Sequence, residues 1–117
     1  QLAPKNQKDL VRDTLSRLGL TNAERLYPSE LSGGMRKRVG IARALALNPD
    51  VMLYDEPTTG LDPITTYQID ELMFELCETL GVTSLLVSHD LASVRRVAAR
   101  VAFLHAGELV FDGTPDE

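Results

Sequence analysis

The feature that most constrains this chain is the run Val51-Met52-Leu53-Tyr54, which ends in two adjacent acids, Asp55 and Glu56. Four apolar residues without polar alternation read as a strand buried on both faces, the usual state of a central strand in a parallel sheet. Residues 82 to 87 repeat the pattern and end just before Ser88-His89-Asp90. Between the two runs lies a helical stretch. Asp62 offers a side-chain cap, Pro63 suits the first position, Ile69, Leu72, Met73, Leu76 and Leu80 form a stripe, and Gly81 closes it. Strand, helix and strand at this spacing predict a parallel pair joined by a right-handed crossover, and so an α/β sheet.

The flanking segments fit that architecture. A helix is expected from about Asn6 to Leu18, with Leu10, Val11, Thr14, Leu15 and Leu18 on one face and Gly19 as its stop. Residues 21–26 read as a short helix or turn ended by Pro28. Ser32 caps a helix running through Val39, Ala42, Leu45 and Ala46 until Asn48-Pro49 stops it. A further helix is expected from about Leu91 to Ala98. A β-hairpin then turns at Ala106-Gly107, with Phe103, Leu104, Val110 and Phe111 as its core. Thr114 to Glu117 form a capping box with no helix after it, and the first residue is Gln1, so both ends read as cut.

Composition excludes several classes. The 117 residues suit one domain or part of one, and the single cysteine, Cys77, cannot form an internal disulfide, which favours a reducing compartment. No apolar run approaches the roughly 20 residues of a membrane span. Twelve Lys+Arg against 17 Asp+Glu give a net charge of −5, which weighs against nucleic-acid binding despite the basic stretch Arg36, Lys37, Arg38 and Arg43. That stretch reads as a solvated helix face or as a contact near a bound ligand. His105 lacks neighbours at metal-binding spacing and takes no metal role.

Four places can carry chemistry. Asp55 and Glu56 close a parallel strand, at the sheet edge where open α/β folds bind ligands. One carboxylate there can hold Mg²⁺ while the next polarises a water, although two solvated acids opening a loop are the plainer reading. Ser32-Gly33-Gly34 at a helix N-terminus can present N–H groups and a hydroxyl to an anion, or can simply be a flexible helix start. His89, just past the second strand, can bond a phosphate or a water, or can be an ordinary junction residue. Asp62 is a helix cap that can also serve a site.

Taken together and in this order, Leu31 to Met35, Val51 to Glu56, Gly60-Leu61-Asp62 and Ser88-His89-Asp90 resemble the ATP-binding cassette family, the motor subunits of ABC transporters. Leu31 to Met35 is similar to the signature motif, Val51 to Glu56 to the Walker B strand, Gly60 to Asp62 to the D-loop, and His89 to the switch histidine. Met35 in place of the family's usual glutamine, Asp62-Pro63-Ile64-Thr65 and the closing Leu109 to Pro115 resemble more narrowly the Mla/Mce-type ATPases of lipid and phospholipid transport. The replacement of glutamine by Met35 removes a polar contact that the family pattern offers to nucleotide.

The resemblance implies a P-loop NTPase-like α/β fold, with residues 1–48 holding part of the helical subdomain and the signature helix, and 49–117 the catalytic core. It implies ATP and Mg²⁺, with Asp55 on the metal, Glu56 as general base and His89 at the γ-phosphate. Ser32, Gly33 and Gly34 would meet the nucleotide of a second cassette in a head-to-tail dimer, and Asp62 would link the two sites. Its implied partners are transmembrane permease subunits and an Mce-type substrate-binding protein, with no nucleic acid, on the cytoplasmic face of the inner membrane. Transport of another small solute, a DNA-repair or translation ATPase, and a degenerate regulatory module are the competing readings. No Gly-x-x-x-x-Gly-Lys-Ser/Thr loop occurs in the 117 residues, so the phosphate-cradling element of the family is not among them. The 117-residue chain by itself is therefore expected to be inactive, and measurable Mg-ATP turnover by it would contradict that expectation.

Overall fold

A computed structural model describes residues 4–117. Strand β1 (Val51–Asp55) pairs in parallel with β2 (Thr83–Val87), in register from Val51 opposite Thr83 to Asp55 opposite Val87. Helix α3 (Pro63–Leu80) connects them and lays Ile69, Leu72, Met73 and Leu76 into a core shared with Met52, Tyr54 and Val82. Helix α2 (Gly33–Leu45) adds Ile41 and Ala42 to that core. Leu18, just past α1 (Pro4–Arg17), closes it. The fold is the expected α/β arrangement. Cys77 is half-buried, as expected, and its thiol donates to the Val82 carbonyl at 3.3 Å.

Arg38 of α2 links the end of α1 to α3. Its guanidinium donates to the Leu18 carbonyl at 3.0 Å and to Gln68 of α3 at 3.4 Å. Gly19 suits its place through its backbone, and a side chain there would also push the Arg38 guanidinium aside. Its φ is +69°, and a Cβ there would lie 2.7 Å from the Arg38 guanidinium.

Three expectations need correction. The parallel strands are buried on one face only: Met52 and Tyr54 point inward, while Leu53 is 72% exposed and Val51, Leu85 and Val87 are also open. Side chains alternate across a strand, and the core helices cover a single face among the described residues. The hairpin of β3 (Val101–His105) and β4 (Glu108–Gly113) forms as expected, around Ala106 and Gly107 at φ +50° and +82°, the signature of a type I′ turn. Its expected core residues Phe103, Leu104, Val110 and Phe111 are nevertheless exposed, because its main contacts run between its own two strands. Pro28, expected to end a helix, instead begins a single 3₁₀ turn (Pro28–Glu30), a position that needs no proline N–H. At the C-terminus the capping box is partly made: the Glu117 carboxylate accepts the Thr114 N–H at 2.8 Å.

Helix α4 (Leu91–Val97) is fastened to α3 by a polar cluster. Asp70, wholly buried on α3, accepts from the Ser93 hydroxyl at 2.9 Å and pairs with Arg96, whose guanidinium stacks 4.9 Å from the centre of the Tyr67 ring. Its other carboxylate oxygen has no partner. Removing Arg96 leaves the wholly buried Asp70 without its cation, so Arg96→Ala is expected to cost about 3–5 kcal/mol, whereas Asp70→Leu with Arg96→Met costs far less. Denaturation midpoints of the two variants check this.

Candidate functional site

The parallel register builds the site. It places Asp55 beside Val87, and the Glu56 N–H continues the ladder by donating to the Val87 carbonyl at 2.9 Å. Two residues beyond the end of the second strand comes His89. The Glu56 carboxylate accepts the His89 backbone N–H at 3.1 Å, and the His89 Nδ1 lies 2.8 Å from each carboxylate oxygen. A carboxylate can only accept, so Nδ1 carries the proton and Nε2 is left for another partner. The Thr59 hydroxyl donates to Glu56 Oε2 at 2.8 Å. The Glu56 carbonyl accepts the Thr59 N–H and the Lys37 ammonium of α2, each at 3.3 Å.

The electrostatics follow from these contacts. The hydrogen bond from His89, then that from Thr59, holds the Glu56 carboxyl below its ordinary value. The hydrogen bond to Glu56 and then its charge raise the His89 imidazole. Glu56 also has φ +47°, a left-handed backbone that few non-glycine residues adopt. Such conformations cost on the order of 1–3 kcal/mol and persist where surrounding bonds over-determine them. Here both backbone groups and both carboxylate oxygens are bonded.

A second cluster forms where the N-termini of α2 and α3 meet. Ser32 caps α2, its Oγ accepting the Met35 N–H at 3.2 Å and keeping its own proton free to donate. Asp62 caps α3, accepting the Ile64 and Thr65 N–H groups at 3.0 Å and the Thr65 hydroxyl at 2.5 Å. The Thr65 hydroxyl is the first cause that lowers its pKa. Gly34 is buried, and a Cβ on it would lie 2.6 Å from the Thr65 methyl group. Its glycine is explained by helix packing, which leaves Gly33 and Ser32 as the groups open to an anion. Beside this junction a cleft of about 230 Å³ is lined by Leu61, Pro63, Thr66, Asp90, Ala92 and Arg96.

The expected residues therefore fall into two groups. Asp55, Glu56 and His89 share one sheet edge, with Asp55 exposed at the end of β1. Ser32, Gly33, Gly34 and Asp62 share the helix junction, and among the described residues neither Ser32 nor Asp62 hydrogen-bonds to Glu56 or His89. Two contributors were missed from sequence. Thr59 lies three residues after Glu56 across a turn opened by Pro57, a local signal that can be read. Lys37, read as part of a solvated face or as a contact near the ligand, reaches the Glu56 carbonyl.

The chain is similar to known proteins in sequence and in fold. The family model described as ABC transporter matches residues 3–59. The arginine transport ATP-binding protein ArtM of Bacillus subtilis is 46% identical over 110 residues, covering 94% of this chain and 45% of that protein. The methionine import ATP-binding protein MetN of Caulobacter vibrioides is 50% identical over 110 residues, covering 94% of this chain and 33% of its own length. Among solved structures, the ADP- and Pi-bound dimer of the ATP-binding cassette MJ0796 superposes with a TM-score of 0.83 at 33% identity, covering 98% of this chain and 50% of that one. The chain is similar to ABC transporter ATP-binding proteins over nearly its whole length. CbiO1 from Clostridium perfringens, part of an ABC transporter complex, gives a TM-score of 0.87 at 32% identity, covering 99% of this chain and 46% of its own. The chain thus spans half or less of the length of each of these relatives.

The pairing in this chain has a pH signature. The raised His89 pKa contributes stability that is full below its ordinary 6.5 and is lost as pH rises through the folded value. The lowered Glu56 pKa contributes stability that is full above its ordinary 4.5 and is lost as pH falls through the folded value. The pair is fully formed between the two. NMR titration is expected to place His89 above 6.5, and Glu56→Gln to return it toward that value.

Proposed function

We propose that this chain is part of the ATP-hydrolysing subunit of an ABC transporter. The observation that carries the reading is the Glu56–His89 pair, 2.8 Å apart at the C-terminal end of two parallel strands. Phosphoryl transfer to water asks a protein mainly for positioning and charge stabilisation. Glu56, held ionised, orients the attacking water and takes its proton. As the imidazolium, His89 donates from Nε2 to the γ-phosphate while Nδ1–H stays bonded to Glu56.

Asp55 offers one exposed carboxylate at the strand end, a hard oxygen donor that fits Mg²⁺. Among the described residues no group of three or more His, Cys, Asp or Glu side chains can hold a metal. That matches an ion which Mg²⁺-binding proteins hold through one or two carboxylates plus substrate phosphates and water. When bound, Mg²⁺ supplies charge neutralisation at the phosphates.

Ser32 and the N–H of Gly33 serve a second ATP, held by another cassette in a head-to-tail dimer. The MJ0796 cassette, described as dimeric, supports the formation of a dimer. Asp62, fixed to the first turn of α3, sits at the junction that would face the dimer partner. Residues 1–48 and 49–117 are read as helical-subdomain and catalytic-core portions.

Among the described residues no helix is long and apolar enough to cross a membrane. This fits a subunit docked on transmembrane permeases at the cytoplasmic membrane face. Relatives named for arginine and methionine favour a small solute as cargo. The lipid reading, with an Mce-type partner, rests on Met35, the Asp62 to Thr65 segment and the closing Leu109 to Pro115, and gains nothing from those relatives.

In the whole protein, Glu56→Gln is expected to block ATP turnover while preserving an ATP-bound dimer, read by steady-state hydrolysis and size-exclusion chromatography. Unchanged turnover would overturn the role of Glu56. With its permease in phospholipid vesicles, turnover is expected to be stimulated by an amino acid, and stimulation by phospholipid transfer alone would restore the lipid reading. A gel shift with DNA or RNA that weakens with salt would instead favour a nucleic-acid ATPase.

A further inference from the structure

Lys37 has no carboxylate within ion-pair distance among the described residues, although α2 carries it into a half-buried position. Its ammonium is directed instead at a backbone carbonyl 19 residues away, that of Glu56. A lysine is ordinarily found in water or against an acid, because an ammonium is strongly hydrated. The carbonyl it meets belongs to the residue with φ +47°, whose peptide orientation decides where the carboxylate points.

The surrounding bonds show what Lys37 adds. The Glu56 N–H is fixed by β2, through the Val87 carbonyl. The carboxylate is fixed by Thr59 and His89, both in the segments that follow the strands. The carbonyl accepts the Thr59 N–H within its own turn, and Lys37 is the donor that reaches it from another element. Without that donor, the Glu56 carbonyl is held only by the Thr59 N–H of its own turn and loses its tie to the helix layer.

We infer that Lys37 is a positioning residue for Glu56, holding the Glu56 peptide in the left-handed conformation that aims its carboxylate at His89. The inference rests on the reading of Glu56 as the general base. It also gives α2 a second role, because the helix that presents Ser32 at its N-terminus grips the carboxylate-bearing residue one turn further along. Movement of α2 is thereby transmitted to Glu56 through a single hydrogen bond. Small misplacements of a reacting group carry large rate penalties.

The test uses the whole protein, with ATP as the probe. Lys37→Met is expected to lower kcat about ten- to a hundredfold with KM for ATP unchanged within about twofold, because the nucleotide is bound elsewhere while the base is misaimed. Lys37→Arg, which keeps a charged donor, is expected to recover most of kcat. Melting temperatures of all variants are measured alongside. Should Lys37→Met fail to fold, Lys37→Leu, which likewise lacks a donor, is judged by the same criteria. Unchanged kcat, a rise in KM that accounts for the loss, or no recovery by arginine would each overturn the inference. Glu56→Gln in the same assay separates the two levels. If it leaves turnover intact, the role of Glu56 fails. If it abolishes turnover while Lys37→Met does not lower it, only the role of Lys37 fails.

Discussion

Everything at the site depends on the pairing of β1 with β2. Parallel strands run their C-terminal ends to the same edge, so two loops distant in sequence emerge side by side. In this chain that pairing sets Asp55 against Val87, and one more ladder bond carries it to Glu56. His89 arrives opposite Glu56 because the second strand ends when the first does. A slip of one residue would turn the inward Met52 and Tyr54 outward as well as separating the acid from the imidazole. Core burial and site geometry thus enforce the same register.

A second constraint lies where helices α2 and α3 begin. Gly34 lets the first turn of α2 come against Thr65, and Thr65 in turn donates to Asp62. One close approach therefore sets the relation between the Ser32 turn and the Asp62 turn. Lys37 extends the same helix to the sheet edge. The polar cluster of Asp70, Ser93 and Arg96 does the corresponding job for α4, whose N-cap, Asp90, directly follows His89.

Much of this was legible in the sequence. The strands, the caps at Ser32 and Asp62, the stop at Gly81 and the hairpin turn are local events, decided by residues within a few positions of one another. The grouping of Asp55, Glu56 and His89 followed from strand order alone. What escaped was non-local. Lys37 and Glu56 lie far apart in sequence, and a basic helix residue carries no mark of the carbonyl it will meet. Asp70 sits inside the apolar stripe of α3, where only the presence of Ser93 and Arg96 on another helix explains a buried acid. Burial on both strand faces was inferred from the apolar run, whereas the exposure of one face depends on which elements lie above it. Met35 and the segment after Asp62 carried the narrower lipid reading, which the relatives did not reinforce.

The one-sided sheet has a practical side. Val51, Leu53, Leu85 and Val87 form an uncovered strip of β-branched and leucine side chains on a ribbon only two strands wide. Both edges of such a ribbon keep unpaired backbone donors and acceptors, and a flat apolar strip next to them is a template for strand addition. A polypeptide limited to these 117 residues would therefore be prone to self-association at the concentrations used in spectroscopy. A lysine substituted at Leu53 or Leu85 would blunt that tendency without entering the core that holds Glu56 in place.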